Sequence, residues 1–599
     1  MRMMSRFFMT LIFPALLALT GCGGGGGRGE DADAEEELDV TVEETDGDGA
    51  EDPPVEADGE DDARPDEADV ETEDGMAAIH GTVSIMPDLF PTPPGDLAGP
   101  LYIGVLVDLG TAPAGLAVVD ADFSTGPVAY EVADIEPGSY MVTALLDDND
   151  NFSMTAPGPD GGDVWTPLTV PVELAAGQDL EVNLILDSPY PPAEPVCGEE
   201  PLDAAERQCI FDFIWTLADR YYPFFDLKGV DWDAVRADYE PLVSAAPTDR
   251  DFRLLMTRLL TELEDGHSQV EPMIWALDLG ITGIAEGASL ALVGGEVYVQ
   301  RLEPGSAAEA AGLEVGDHVL AIDGVSFADL AGGIGTYLPR PNDPWYDAAV
   351  LRMWQTGDIA DPASFAVERD GLTVEVARTI PLGDTPEVVS SRLTGSSGRQ
   401  YGYIRIPTFE KDFPEVVDRF DEALDALLDV DGLILDVREN PGGEYTLSEP
   451  MIARLIDAPL HVENQYYRGS ADLSVPAVIR PAADAYLGPI VVLVDEQSYS
   501  NGHIFPLSLV ETGRATLVGR GTGGGNGTPE SWVLTPMLSL SVATSFTLTA
   551  SGSIADELGV EPDAAVPMTL ADIQAGLYAG PGVPESDIVL RRAIETLGD

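Results

Sequence analysis

At 599 residues the chain is too long for a single hydrophobic core and reads as several domains. Its formal net charge of −78, from 29 Lys and Arg against 107 Asp and Glu, repels phosphate backbones and argues against a nucleic-acid partner. The hydrophobic fraction of 44% still allows real cores, and the only lysines are Lys228 and Lys411.

Residues 1–21 read as an address rather than as fold. Arg2 and Arg6 precede the apolar run FFMTLIFPALLAL, which ends in Leu19-Thr20-Gly21-Cys22. A charged start, a short apolar region and small residues define a secretory signal. The LTGC ending resembles a bacterial lipobox. That resemblance implies cleavage before Cys22, a lipid on its thiol and a protein anchored in the cell envelope. No later stretch approaches the ~20 apolar residues of a spanning helix, so the expected membrane contact is the lipid alone. Residues 22–75 are Gly-rich and then densely acidic, without aromatics. Such a composition cannot offset its ordering entropy and predicts an extended, disordered stalk.

Residues 76–190 change character. Short alternating runs such as IHGTVSIM, LYIGVLVDL and LEVNLILDS, separated by Pro, Gly and Asp turns, predict a β-sandwich. The string LDDNDNFS, from Leu146 to Ser153, gathers oxygen ligands but lacks the Gly and terminal Glu of a Ca²⁺ loop. It reads as a turn, and no metal or cofactor is expected. Residues 198–275 are helical, with Pro247-Thr248-Asp249 capping the periodic run FRLLMTRLLTEL. Cys197 and Cys209 can form one disulfide at the start of this segment in an exported chain; two free thiols are the alternative. Residues 279–383 contain YVQRLEPGSAAEAAGLEVGDHVLAIDG, which resembles the heart of a PDZ domain. The resemblance implies a groove that takes an extended peptide by strand addition, with Ile281-Thr282-Gly283-Ile284 near its carboxylate loop. From 395 to 599, strands such as YGYIRIPTF, GLILDVREN and PIVVLVDE alternate with helices, the pattern of an α/β catalytic core.

The chemistry concentrates in Pro489 to Gly527. A buried strand ends at Asp495, a polar turn follows, and a helix begins near Ser500. A serine at such an elbow exposes its hydroxyl and faces a helix N-terminus toward a developing oxyanion. VDEQSYSNGHIF and ETGRATLVGRGTGGG, with DVRENPGG upstream and LGVEPD downstream, resemble the tail-specific and tricorn-core serine peptidases over roughly residues 198–599. The resemblance implies a multidomain protein whose α/β core has the ClpP/crotonase-like fold. It makes Ser500 the nucleophile, with Ser498 as the neighbouring competitor. One branch of the family uses a Ser–Lys dyad, but no Lys follows Lys411. The other branch takes a His before the PDZ region and a Glu after the Ser. Here LLTELEDGHSQV supplies His267 and ADELGVEPD supplies Glu557, with Asp556, Glu561 and Asp563 as alternatives. His503, one turn after Ser500, is the rival base and is read as packing. Where the tricorn pattern has a Ser directly before the His, this chain has Gly266. The oxyanion donors implied are Gly442 or Gly443 together with Asn501.

The expected function is therefore lipid-anchored endopeptidase action on a peptide or protein substrate, through an acyl-enzyme on Ser500. A catalytically silent peptide-binding lipoprotein is the alternative. Oligomeric state and cleavage preference have no signal in the sequence.

Overall fold

A computed structural model describes residues 75–86, 89, 97–106, 113–149, 162–166, 170–186, 188–189, 195–271, 283–379, 387–466, 474–549, 557–578 and 582–599. The signal segment, Cys22, most of the acidic stretch, Asp150 to Ser153 and Ile281-Thr282 lie outside these residues.

The described strands between Ala77 and Pro189 form two sheets that share one apolar core. Leu101, Ile103 and Val105 alternate along one strand and meet Ile79, Val83 and Val132 from the other sheet. The two-residue period does what it does in any half-buried strand, turning one face inward.

Four helices follow: α1 (Ala204–Tyr221), α2 (Phe225–Lys228), α3 (Trp232–Val243) and α4 (Asp249–Thr261). Asp203 and Glu206 form a reciprocal capping box on α1, and Thr248 caps α4 by accepting the Asp251 N–H. Cys197 and Cys209 are joined in a disulfide, with Cα atoms 5.6 Å apart. The helices do not make a core of their own. Phe213, Leu217, Phe252 and Leu259 pack with Trp532, Leu540, Val542 and Phe546, which lie on strands Gly527–Thr535 and Leu538–Thr549. Burying these large side chains, at about 1.5–3 kcal/mol each, welds the helical segment to the C-terminal region.

Residues 283–379 hold an antiparallel hairpin, Ala288–Val293 with Glu296–Leu302, and a three-stranded sheet through Val319–Ile322, Ala363–Val367 and Thr373–Val376. Helices α5 (Ala307–Ala311), α6 (Phe327–Ile334) and α7 (Asp343–Trp354) surround a core of Leu290, Val299, Leu313, Phe365 and Trp354.

The C-terminal region is built on a six-stranded sheet. Its order is Val389–Thr394, Gln400–Arg405, Gly432–Asp436, Ile490–Val494, Ala515–Gly519 and Ala564–Ala565, parallel except for the first pair. Leu433, Leu435, Val492 and Val494 face α8 (Val416–Asp425), α9 (Tyr445–Ala453) and α10 (Asn501–Glu511). Ile434, Val491 and Leu493 face α11 (Leu570–Gln574) and α12 (Ile588–Thr596). Covering both faces explains why the runs GLILD and IVVLV are apolar throughout rather than alternating.

Candidate active site

The strand Ile490–Val494 delivers the chain to the turn 495–500. Asp495 organises that turn, its carboxylate accepting the N–H groups of Gln497 at 3.1 Å and Glu439 at 3.0 Å. Ser498 is fully buried; its hydroxyl donates to Val437 O at 2.8 Å and accepts the Asp495 N–H at 3.1 Å. Ser498 is thus a turn former, unavailable to a substrate. Ser500 has φ 53° and ψ −128°, an unfavourable backbone for a side-chain-bearing residue. Its N–H donates to Gly524 O at 2.8 Å, and its carbonyl accepts from His503 and Ile504 as α10 begins. The strain is held by these bonds, and the Ser500 hydroxyl itself enters no hydrogen bond among the described residues.

The loop Asn440–Gly443 lies against this elbow. A Cβ on Gly442 would stand 2.7 Å from the Ser500 Cβ and 2.9 Å from the Asn501 nitrogen. One on Gly443 would stand 2.1 Å from the Phe409 carbonyl carbon. Only glycine permits this approach, and both residues have positive φ. The loop also separates the two expected donors. The Gly442 N–H donates to Asn440 Oδ1 at 2.9 Å, whereas no hydrogen bond among the described residues uses the N–H of Gly443 or of Asn501. The Asn501 side chain ties the two together, donating to Glu444 O at 2.9 Å and accepting from Ser448 at 3.0 Å.

His267 reaches the same place from the helical segment. Strand Gln269–Glu271 pairs with Leu538–Thr549, the Ser541 hydroxyl donates to His267 O at 2.8 Å, and the Ala543 N–H donates to Ser268 Oγ at 3.2 Å. Asp265 Oδ1 accepts the His267 backbone N–H at 2.9 Å. The imidazole is buried, 5.0 Å between ring centres from Tyr499, with Nδ1 3.5 Å from the Tyr499 hydroxyl and Nε2 without a partner. Burial, with Lys228 acting in the same direction and Asp265 against it, brings the His267 pKa down to about 4. Burial holds Tyr499 well above its ordinary range, which keeps it a neutral hydroxyl.

Glu557 corrects the sequence expectation. It is fully buried in the same region, but its oxygens do not meet His267. Oε1 pairs with Lys228 Nζ at 3.0 Å, and Oε2 accepts the N–H groups of Asn526 at 2.7 Å and Gly527 at 3.2 Å. All three donors, one of them charged, come from elsewhere than the imidazole. Burial raises the Glu557 pKa to about 6, with Lys228 opposing. The buried cluster therefore contains a lysine, Lys228, besides the residues expected from the sequence. Lys228 lies far upstream, and its signal was a lone Lys among aromatics in PFFDLKGVDW.

The remaining candidates stand apart. His503 Nδ1 meets the Thr522 hydroxyl at 2.8 Å, while Thr522 also accepts the Val560 N–H, so His503 braces the glycine loop Gly523–Gly525. His461 lies on strand Leu460–Tyr466, and His80 and His318 pair with Asp179 and Glu368. Helix α7 adds a contact that sequence reading missed. Its Trp345 packs on Tyr499 with ring centres 5.3 Å apart, Arg352 donates to Gln497 at 2.7 Å, and Asn342 at its N-cap donates to Gly523 O at 2.8 Å. A cavity of about 720 Å³ opens between the hairpin strand Ala288–Val293, α7 and the core residues Arg405, Glu439 and Arg520.

An α/β core with a strained serine at its elbow, a glycine loop beside it and a buried histidine defines a candidate serine-hydrolase site. Residues 400–566 match Peptidase family S41, 203–261 the Tricorn protease C1 domain and 278–332 the PDZ domain. His267 falls between the matched segments. The chain is 26% identical over 399 residues to Tricorn protease homolog 1 of Streptomyces coelicolor, covering 62% of this chain and 34% of that protein. It is 29% identical over 267 residues to a carboxyl-terminal-processing protease of Picosynechococcus sp., covering 44% and 59%. The chain thus matches less than two-thirds of the length of these two curated relatives. The crystal structure of mature CPAF is similar with a TM-score of 0.49 and 16% identity, over 65% of this chain and 96% of that one.

Proposed function

We propose that the chain is a serine endopeptidase, lipid-anchored through Cys22 in the cell envelope, that hydrolyses peptide bonds through an acyl-enzyme on Ser500. The observation that carries the reading is the elbow. Ser500 has a strained backbone and a hydroxyl without a hydrogen bond among the described residues, beside two backbone donors, Gly443 and Asn501, that no hydrogen bond among those residues uses. The match of residues 400–566 to Peptidase family S41 supports it.

In this reading Ser500 Oγ attacks the scissile carbonyl carbon, and its proton passes to His267 Nε2. The Nδ1–H then points to the Tyr499 hydroxyl, which fixes the tautomer. The tetrahedral oxyanion accepts from the Gly443 and Asn501 N–H groups. Collapse expels the amine with the proton from His267, and water releases the acid by the same steps. No hydrogen bond joins Ser500 to His267 among the described residues, and His267 Nε2 has no partner, so this contact is to form with substrate bound. Glu557 contributes through the buried charge cluster rather than by touching the imidazole.

A peptide-binding lipoprotein without turnover is the reading that this missing contact would favour. Peptide hydrolysis by the full chain separates the two. Wild type should turn over, and Ser500→Ala should lose at least about 10³-fold in kcat. Lys411→Ala should keep wild-type activity. Wild type as inactive as Ser500→Ala would leave only the binder.

A further inference from the structure

Lys228 is the one lysine of the chain that lies within the protein rather than on it, its side chain 1% exposed. It ends α2, after Phe224 and Phe225, with its ammonium 5.2 Å from the Phe224 ring centroid and 5.9 Å from that of Tyr222. Burying an ammonium is costly unless partners meet it on several sides. Two do so here. The Glu264 carbonyl accepts at 2.9 Å, and Glu557 Oε1 lies at 3.0 Å.

These partners belong to the two loops that converge on the site. Glu264 stands three residues before His267 and has φ 52°, a left-handed backbone unusual for glutamate. Its carbonyl is turned inward onto Lys228 by that conformation. Glu557 belongs to the loop that also receives the Asn526 and Gly527 N–H groups, at the end of the glycine run behind Ser500.

We propose that Lys228 is a positioning residue of the peptidase site, an internal clamp that joins the His267 loop to the Glu557 loop and keeps a fixed positive charge between them. The inference rests on the proposed function and names a residue that the Ser500, His267 and Glu557 assignment does not include. The charge count supports it. Asp265, Glu557 and Lys228 leave one negative charge in excess in this buried cluster, and an imidazolium on His267 balances it. The groups facing His267 are Asp265 on its own loop, Lys228 from α2 and Tyr499 from the elbow. Those facing Glu557 are Lys228, Asp265 and the two N–H donors. The Tyr222 hydroxyl is turned away to Leu263 O. In both His267 and Glu557 the Lys228 charge acts downward on the pKa, so it favours the neutral base and the ionised carboxylate together.

The test compares wild type, Lys228→Met and Lys228→Arg as full chains, by the pH profile of peptide hydrolysis and by NMR titration of ¹³C-labelled histidine. Lys228→Met should lose about tenfold or more in kcat at pH 7, with KM changed little. Its acidic limb should move about one pH unit upward, and the His267 resonance should titrate higher than in wild type. Lys228→Arg, which keeps the charge, should restore the limb. Should Lys228→Met fail to fold through its unpaired buried carboxylate, Lys228→Met/Glu557→Gln replaces the pair by neutral groups, and its His267 should titrate above that of Glu557→Gln alone, from which it differs only in the Lys228 charge. A folded Lys228→Met whose His267 titrates as in wild type, or a double variant whose His267 titrates as in Glu557→Gln, overturns the proposal, even if its melting temperature falls. Wild type without hydrolysis at any pH would contradict the proposed function instead, and the titration would still decide on Lys228.

Discussion

The two halves of the site are made differently. The nucleophile half comes from segments that are close in sequence or adjacent in the sheet. Ser500, Asn501 and the Gly442–Gly443 loop follow neighbouring parallel strands, and backbone bonds such as Ser500 N to Gly524 O hold them in place. The base half is gathered from three distant places: His267 ahead of the PDZ region, Lys228 on α2 and Glu557 near the C-terminus, and what holds it is buried charge. The first half is held by backbone hydrogen bonds that leave the Gly443 and Asn501 N–H groups unused among the described residues. The second depends on an exact balance among few ionised groups, so it should be the more sensitive to pH.

That contrast can be tested from the nucleophile side first. Gly443→Ala places a Cβ 2.1 Å from the Phe409 carbonyl carbon, so the loop must move and take its donor with it. A loss of about 10²–10³ in kcat is expected, with the pH profile unmoved, as steady-state kinetics would show. A shifted acidic limb in this variant would break the separation between the halves. A smaller effect is expected at Glu410, beside the same loop. Its Oε1 is buried without a partner, and burial with the nearby Glu444 and Asp412 raises its pKa to about 8. A carboxyl raised in the folded state adds stability below its ordinary pKa and loses it as pH climbs through about 8. Glu410→Gln should therefore gain on the order of 1–3 kcal/mol relative to wild type at pH 9 and little at pH 4. Denaturant melts at the two pH values would show it; an equal change at both would mean that Glu410 is not protonated in the fold.

The sequence carried most of the nucleophile half. An all-apolar strand, a polar turn and a helix start place Ser500, and the glycines of DVRENPGG mark a close approach. It could not choose between Gly442 and Gly443, because the choice rests on where one side chain, Asn440, points. His267 stood in a readable motif, and the disulfide joins the two cysteines that follow Cys22 in the sequence. The partner of Glu557 was not legible. A Lys228–Glu557 pair spans 329 residues, and neither periodicity nor local motif encodes which buried charge meets which. The reach of α7 to the elbow was hidden for the same reason, since Trp345, Arg352 and Asn342 read locally as ordinary helix residues.

The most direct test of the central claim, that Ser500 is activated by His267, is covalent labelling with a serine-directed phosphonate, with the modified peptide located by mass spectrometry. Wild type and His503→Ala should be labelled on Ser500 and not on Ser498, whereas His267→Ala should react at least about 10²-fold more slowly. Labelling of His267→Ala at the wild-type rate, or loss of labelling in a folded His503→Ala instead, would contradict the account.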